Sequence, residues 1–566
     1  MRRVLNLPRG GLQPAAGPAA RSTGSQRASG SSGRSVAAPS AATSGGCPFT
    51  SAAASTLQHA APADKPDSSV TAMADAAAAS GAPGNAVLVQ GGKTAKPGGR
   101  AALPVRVDDH WYDLSAWRAA HPGVYAPPAV CRVRGAAAGR WGNRKCGQGS
   151  AAQHARLWKR HTTTAAALFH GPTAKAVCHS HPLTAPALPH TRAAGTGWID
   201  MFAGRDATEV IHAFHSDSAH TMLARLPKYT PSAEVVASVP DVTPAQRAFR
   251  KLRSELIQQG WFQRNYWLEA AHLAAWAACV ALGVAAANSS LAVARALAFV
   301  PLGLSFTAAG WLAHDYIHGR GAFCPAMRHF GGWGAGFGAT MWSDKHNRHH
   351  ALTNEVGQDE DLSGGPVLFL WAPDPVRDKA WRHLQGVYYL AAFSLLHWVW
   401  RIDSLVVSIK RGPLWPELLP ILAHYAIYLS LVPASTFIAA VFLGGFVMAN
   451  IVTTSHQSEE LLFTPEHDWV RMQFRTTRDA EPGNWFTSWL WGGMQHQLEH
   501  HLFPTMPRYK YPALIPIMKA FAAEHGLPYK SESDWAIWQR TWKNYQRVAA
   551  EAAVPGAPGP RKGVTI

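Results

Sequence analysis

Four apolar stretches in the second half of the chain constrain its fold more than any other feature. They cover residues 267–287, 291–313, 414–432 and 435–452. Each approaches the roughly 20 residues a helix needs to cross hydrocarbon. In hydrocarbon a helix satisfies its own backbone polar groups, which an open strand cannot do. Pro301 interrupts the second stretch, and Pro416, Glu417 and Pro420 interrupt the third. Residues 387–402 are apolar and aromatic but short, and they carry His397 and Arg401. They read as an interfacial or re-entrant piece, or else a buried amphipathic helix. The chain is expected to be mainly α.

Histidine clusters frame these stretches. They are His314-Asp-Tyr-Ile-His318, His346-Asn-Arg-His349-His350 and Gln497-Leu-Glu-His500-His501. Spacings of three or four direct side chains from one helix face into one volume, and neutral imidazole is a common iron ligand. Counting crossings puts the clusters together. The first two follow the second stretch, and the third and fourth stretches form a hairpin that returns the third cluster to that side. By the same count the N-terminal part lies there too. His456 falls just past the fourth stretch, as a further ligand or a polar helix-end histidine. Asp315, Asn347 and Glu499 interleave the histidines and are candidates to orient imidazoles through their second N–H; Asp359-Glu360-Asp361 reads either as doing so for the second cluster or as a solvated acidic turn. His272, His397 and His424 lack partners at ligand spacing and read as packed or interfacial, and His496 reads as an outer neighbour of the third cluster.

The chain has 566 residues and a formal charge of +18. The basic excess lies largely in the first hundred residues and in 124–196, with no basic helix interleaved with aromatics, so no nucleic-acid partner is expected. None of the six cysteines forms CxxC, which argues against a zinc module or a disulfide framework. Residues 1–100 are rich in Ala, Gly, Ser, Pro and Arg, and the opening to about residue 44 has no Asp or Glu. That composition fits a disordered segment containing a mitochondrial or chloroplast transit peptide. Residues 546–566, Pro-rich over 554–560, read as a disordered tail.

Residues 105–120 (VRVDDHWYDLSAWRAA) run into His121-Pro122-Gly123, and much later come Gly197-Trp-Ile-Asp-Met-Phe and His215-Ser216. These pieces resemble a cytochrome b5 domain over 101–228. The resemblance implies haem b held by His121, in an HPGG-like motif, and His215, with His212 the alternative to His215. Val124 stands where the second glycine belongs. Removing 124–196 restores the motif, so that segment reads as a retained intron or, alternatively, a surface insertion. Its Cys178-His179-Ser180-His181 has no flanking helix or strand pattern to preorganise a metal site.

After a linker over 229–255, residues 256–545 resemble the membrane fatty-acyl desaturases. The fused haem domain and the Gln-led third box, Gln497-Leu-Glu-His-His-Leu-Phe-Pro504, resemble the front-end group. The resemblance implies a four-helix transmembrane di-iron domain beside a small α+β cytochrome b5-like domain. It implies two Fe ions on His314, His318, His346, His349, His350, His456, His500 and His501, with Gln497 at a position that is His in other desaturases. O2 is the expected co-substrate, an unsaturated membrane-lipid acyl chain the substrate, and a cytochrome b5 reductase or a ferredoxin the electron donor. A plastid address points to Δ4 chemistry on a glycerolipid in the chloroplast envelope. The alternatives are a Δ5 or Δ6 enzyme of the endoplasmic reticulum, a sphingolipid long-chain-base desaturase, a lipid hydroxylase and a non-catalytic haem carrier.

Overall fold

A computed structural model of the chain describes residues 102–117, 199–362, 365–410 and 415–559, and these are mainly helical. His121, the transit-peptide region, the interruption over 124–196 and the last residues of the tail lie outside them.

The N-terminal part pairs β1 (Pro104–Val107) with β2 (His110–Asp113) in an antiparallel hairpin whose tight connection places Asp108 and Asp109 at positive φ. It continues into α1 (Thr208–Phe214). Val105, Val107, Tyr112 and Val210 are buried in one core with Phe249, Leu252 and Leu256 of α2 (Pro244–Gln258). That same core includes Trp469, Leu498, Leu502 and Phe503 around the third histidine cluster. The hairpin therefore shares hydrophobic burial with the catalytic half. Ion pairs add to it, with Arg205 gripping both Glu355 oxygens at 2.9 Å. Thr243 starts α2 with a reciprocal capping box to Gln246.

Among the described residues three helices are long and apolar enough to cross a membrane. They are α3 (Tyr266–Ala287), α4 (Phe299–His318, led by Ala292–Leu297) and, after α5 (Ala339–Ala351), α6 (Gln385–Ser394), α7 (Leu396–Lys410) and α8 (Trp415–Leu431), α9 (Ala434–Val452). α4 and α9 cross closely because glycines face each other. A Cβ on Gly303 would lie 2.8 Å from the Ala440 carbonyl oxygen, and one on Gly444 3.1 Å from that of Gly303. Small residues of this kind let apolar helices approach in hydrocarbon. The contact brings the ends bearing His314, His318 and His456 to one level.

The third expected span differs from its reading. α8 has 17 residues, with Pro420 inside it, and falls short of the three long helices. Its ends are nonetheless fixed. Glu417, near the start, accepts from the Thr340 N–H at 2.9 Å, and the Leu431 carbonyl accepts from Asn288, just past α3, at 2.9 Å. The stretch read as interfacial or re-entrant belongs to a helix pair, Ala380–Ser394 and Leu396–Lys410, bent by 57°. α7 buries His397, Arg401, Asp403, Ser404 and Ser408 while exposing Val399, Ile402 and Ile409. That is the reverse of a water-facing helix and suits a lipid-facing one.

After α9 come α10 (Trp469–Thr476), α11 (Trp485–Trp491), α12 (Gln497–Leu502), α13 (Tyr511–His525) and α14 (Asp534–Ala550). The described part of the expected tail is seated rather than frayed. The Val554 N–H donates to the Pro373 carbonyl at 2.9 Å, and Trp371 Nε1 donates to Pro558.

Candidate metal centre

The three clusters converge as their spacing predicts. α4 ends in His314 and His318, α5 carries His346, His349 and His350, and α12 carries His500 and His501. Their nitrogens fall into two groups. His314, His318, His346, His350 and His500 form one, and His349, His456 and His501 form the other, with ligand atoms inside each group all within 4.8 Å of one another. His350 and His501 stack at 4.0 Å between centroids, so the groups adjoin. His456, open between two readings on sequence, joins the second. Gln497 stands beside it, with an amide nitrogen 3.1 Å from His456 Nε2, while its carbonyl oxygen is buried without a hydrogen-bond partner.

α5 is held by its neighbours. The Gly338 N–H donates to Ser404 Oγ at 2.8 Å, and Glu417 takes the Thr340 N–H. Both partners come from α7 and α8 and stand in for a local N-cap. At its other end Asn354, at positive φ, donates to the carbonyls of His456 and Glu460 at 2.9 and 3.0 Å, tying the second box to the chain after α9.

Outer contacts orient the rings. His349 Nδ1 donates to Asp359 Oδ2 at 2.8 Å, His456 Nδ1 to the Thr476 carbonyl at 3.0 Å and His501 Nδ1 to Gln473 Oε1 at 2.9 Å. These fix the tautomer that leaves each Nε2 for the centre. Tyr511 faces His500 Nδ1 at 3.3 Å, and Asp361 faces His346 Nδ1 at 3.5 Å. Gln473 also donates to the His350 carbonyl and accepts from Thr353.

The interleaved residues expected to do this work elsewhere. Asp315 pairs with Arg264 at 2.6 Å, and Arg264 also holds Glu269. Glu499 meets Tyr529 and lies with Asp479 and His496, away from the ligand rings. Gln473 and Thr476 were missed because they lie 28 and 20 residues from the histidines they serve, and Tyr511 because it stands on a separate helix, α13. The acidic turn at 359–361 was the one outer contact signalled in sequence.

Electrostatics favour neutral imidazole, the ligating form. Burial pushes His346 down to about 4, against the pull of Asp361. Burial and then neighbouring rings push His350, His500 and His501 far below the ordinary histidine range. His349 moves the other way. Burial opposes its charge, but Asp359 and Asp361 outweigh it. Asp361 sits well below the carboxylate range, with Lys345 foremost in overcoming its burial.

The donor set fits metal. Both nitrogens of His318 and Nε2 of His500 and His501 are buried without hydrogen-bond partners, and they face one volume with the other imidazoles. Unsatisfied buried polar atoms are costly unless something occupies their lone pairs.

Residues 289–533 match the fatty acid desaturase family model. The chain is 29% identical to the Delta(8)-fatty-acid desaturase of Euglena gracilis, over 60% of its own length and 87% of that protein's. It is 29% identical to the Acyl-lipid (9-3)-desaturase of Physcomitrium patens, over 63% and 72%. It is 28% identical to the Delta(6)-fatty-acid desaturase fat-3 of Caenorhabditis elegans, over 59% and 87%. Over residues 289–533 the chain is thus similar to fatty acid desaturases. These matches support an oxygen-dependent oxidoreductase of the fatty acid desaturase type, as the boxes led us to expect. Its histidine clusters fit the metal such enzymes use.

Of the two expected haem ligands, His121 lies outside the described residues. His215 follows α1 directly, its backbone N–H on the Ile211 carbonyl. His212 is engaged with Asp108 at 2.7 Å and stacked on His220. The Phe214 ring lies 6.1 Å from that of His318 and 5.8 Å from that of His350, so the end of α1 covers the metal centre.

Proposed function

We propose that this enzyme places a cis double bond, at Δ4, in an already polyunsaturated acyl chain of a glycerolipid. The observation that carries desaturation is the pair of adjoining imidazole groups drawn from all three boxes and His456. His314, His318, His346, His350 and His500 would hold one iron, and His349, His456 and His501 the other, with Gln497 beside the second. Bound iron supplies the O2-derived oxidising power needed for unactivated C–H bonds, which side-chain acid–base chemistry lacks. The protein's own part is to hold the rings by Asp359, Gln473, Thr476 and Tyr511, and to keep water from the centre with Phe214 and the N-terminal core.

The relatives' names favour a second reading of position. Two of those cited are named for Δ8 and Δ6 and the third as a (9-3)-desaturase, and a Delta(5) desaturase of Caenorhabditis elegans is 26% identical. Expression in yeast fed polyunsaturated acids, followed by mapping of new double bonds, separates these. A Δ4 bond in glycerolipid is expected. A Δ5, Δ6 or Δ8 bond overturns the position, and an alcohol overturns desaturation.

Electrons are proposed to arrive through haem b on His121 and His215, drawn from a cytochrome b5 reductase or a ferredoxin. A bis-imidazole haem passes electrons without an open coordination site. Support comes from the docking of α1 on the centre. His215→Ala should lose the haem absorption band while keeping its iron, and an unchanged band would sink the assignment. Four crossings, with α8 as the third, are supported by the hydrogen bonds at both its ends. The chloroplast envelope is the proposed location, supported by the opening composition. Residues 124–196 are proposed to be a retained intron, and transcripts that mostly contain the segment would refute this.

A further inference from the structure

A cavity of about 470 Å³ lies between α3, α4, α11 and the turns that flank the third box. Its walls along α4 run from Leu304 to Leu312, two residues before His314. Leu304, Ala308, Trp311 and Leu312 make this wall mainly apolar. Arg508, only 9% exposed, also lines the cavity, and its Nη1 donates to the Gly492 carbonyl at 2.7 Å. Among the described residues no carboxylate pairs with this guanidinium. Asp315 is nearest in the chain's wiring, taking the Arg508 backbone N–H at 3.4 Å, but its carboxylate is paired with Arg264.

A largely buried cation that keeps N–H groups toward a cavity is costly unless an acceptor fills the space. Among the residues lining it, Trp485 is 80% exposed. Exposed Trp rings favour the membrane interface. The cavity thus joins an exposed aromatic, an apolar floor along α4 and a buried cation.

We propose that the cavity receives the acyl chain sideways from the bilayer and that Arg508 holds the ester oxygens of its head. This rests on the desaturase reading above and adds a measuring point to it. Arg508 is bonded through its backbone to Asp315, the neighbour of the ligand His314, so the held head lies close to the metal centre. Carbons near the carboxyl end are then the ones within reach. A short fixed distance from head to metal is what insertion between an existing double bond and the carboxyl end requires.

The test uses the purified, iron-loaded full chain and a diazirine-bearing acyl probe, supplied either as a phosphatidylcholine ester or as the free acid, with labelled peptides mapped. The ester should label the cavity walls. Arg508→Gln should lower that labelling about ten-fold or more at equal iron content, the usual scale for losing a charge-assisted hydrogen bond. Arg508→Lys should restore part of it, and Leu304→Trp, which fills the floor, should abolish it. In yeast, Arg508→Gln should scatter the double-bond position. Equal labelling in Arg508→Gln, labelling outside the cavity, or loss of iron in that variant would overturn the assignment. Labelling by the free acid alone would overturn the ester. Labelling that depends on Arg508 in a protein that makes no desaturated product would uphold the cavity and defeat the desaturase reading instead.

Discussion

The two imidazole groups of the centre are built differently. In the group of His349, His456 and His501 every ring is anchored from behind, by a carboxylate, a backbone carbonyl and an amide. In the group of His314, His318, His346, His350 and His500 the rings are held mainly by one another. His346 Nε2 lies 3.1 Å from that of His314 and 3.0 Å from that of His350, and His318 has no hydrogen-bond partner at either nitrogen. The anchored group is preorganised before metal arrives. The crowded group gathers nitrogens whose arrangement a bound ion must complete. The difference shows two routes to a metal pocket, orientation by outer partners and convergence by helix packing.

Four substitutions sharpen that contrast. His349→Ala removes a ligand from the anchored group and should abolish product formation with loss of bound iron, read by yeast product analysis and metal content. Unchanged product would defeat the catalytic assignment altogether. Asp359→Asn keeps the ligand but weakens its support, and should lower metal affinity or activity about 10–100-fold. An effect no larger than that of Tyr511→Phe would erase the distinction between the groups. Asp315→Asn should leave metal content intact and instead destabilise the fold by about 3 kcal/mol, because it takes one partner from the buried Arg264. Thermal unfolding of the two proteins side by side measures this, and metal loss without destabilisation would return Asp315 to the orienting role expected from its place between His314 and His318. Tyr511→Phe removes only the long contact behind His500 and should cost no more than a few-fold in activity.

The convergence of the histidines was legible in the sequence because their geometry is local. Four-residue spacing puts His314 and His318, or His346 and His350, on one face whatever surrounds them. Their supports were not. Gln473 reaches His501 and Thr476 reaches His456 only after α10 packs against α12 and the end of α9, which no local pattern announces. The interleaved acids misled for the same geometric reason. A residue next to a ligand on a helix points about 100° away from it, so Asp315 and Glu499 turn to Arg264 and Tyr529. The spans were legible by apolarity, but α8 was harder to place, since Pro420 and buried Glu417 cut its apolar length. Its role emerged from what its ends bond to.

Phe214 bears on how this enzyme can be handled. A reductive module on a free tether could be cut away, leaving a working remainder. Here the ring before His215 sits over His318 and His350, and the strands behind it share their core with α2 and α12. A truncation at residue 229 would strip the roof from two ligands and open apolar surface around the third box. The front half is thus a structural lid, and a minimal catalyst for biotechnology has to keep it or redesign the surface it covers.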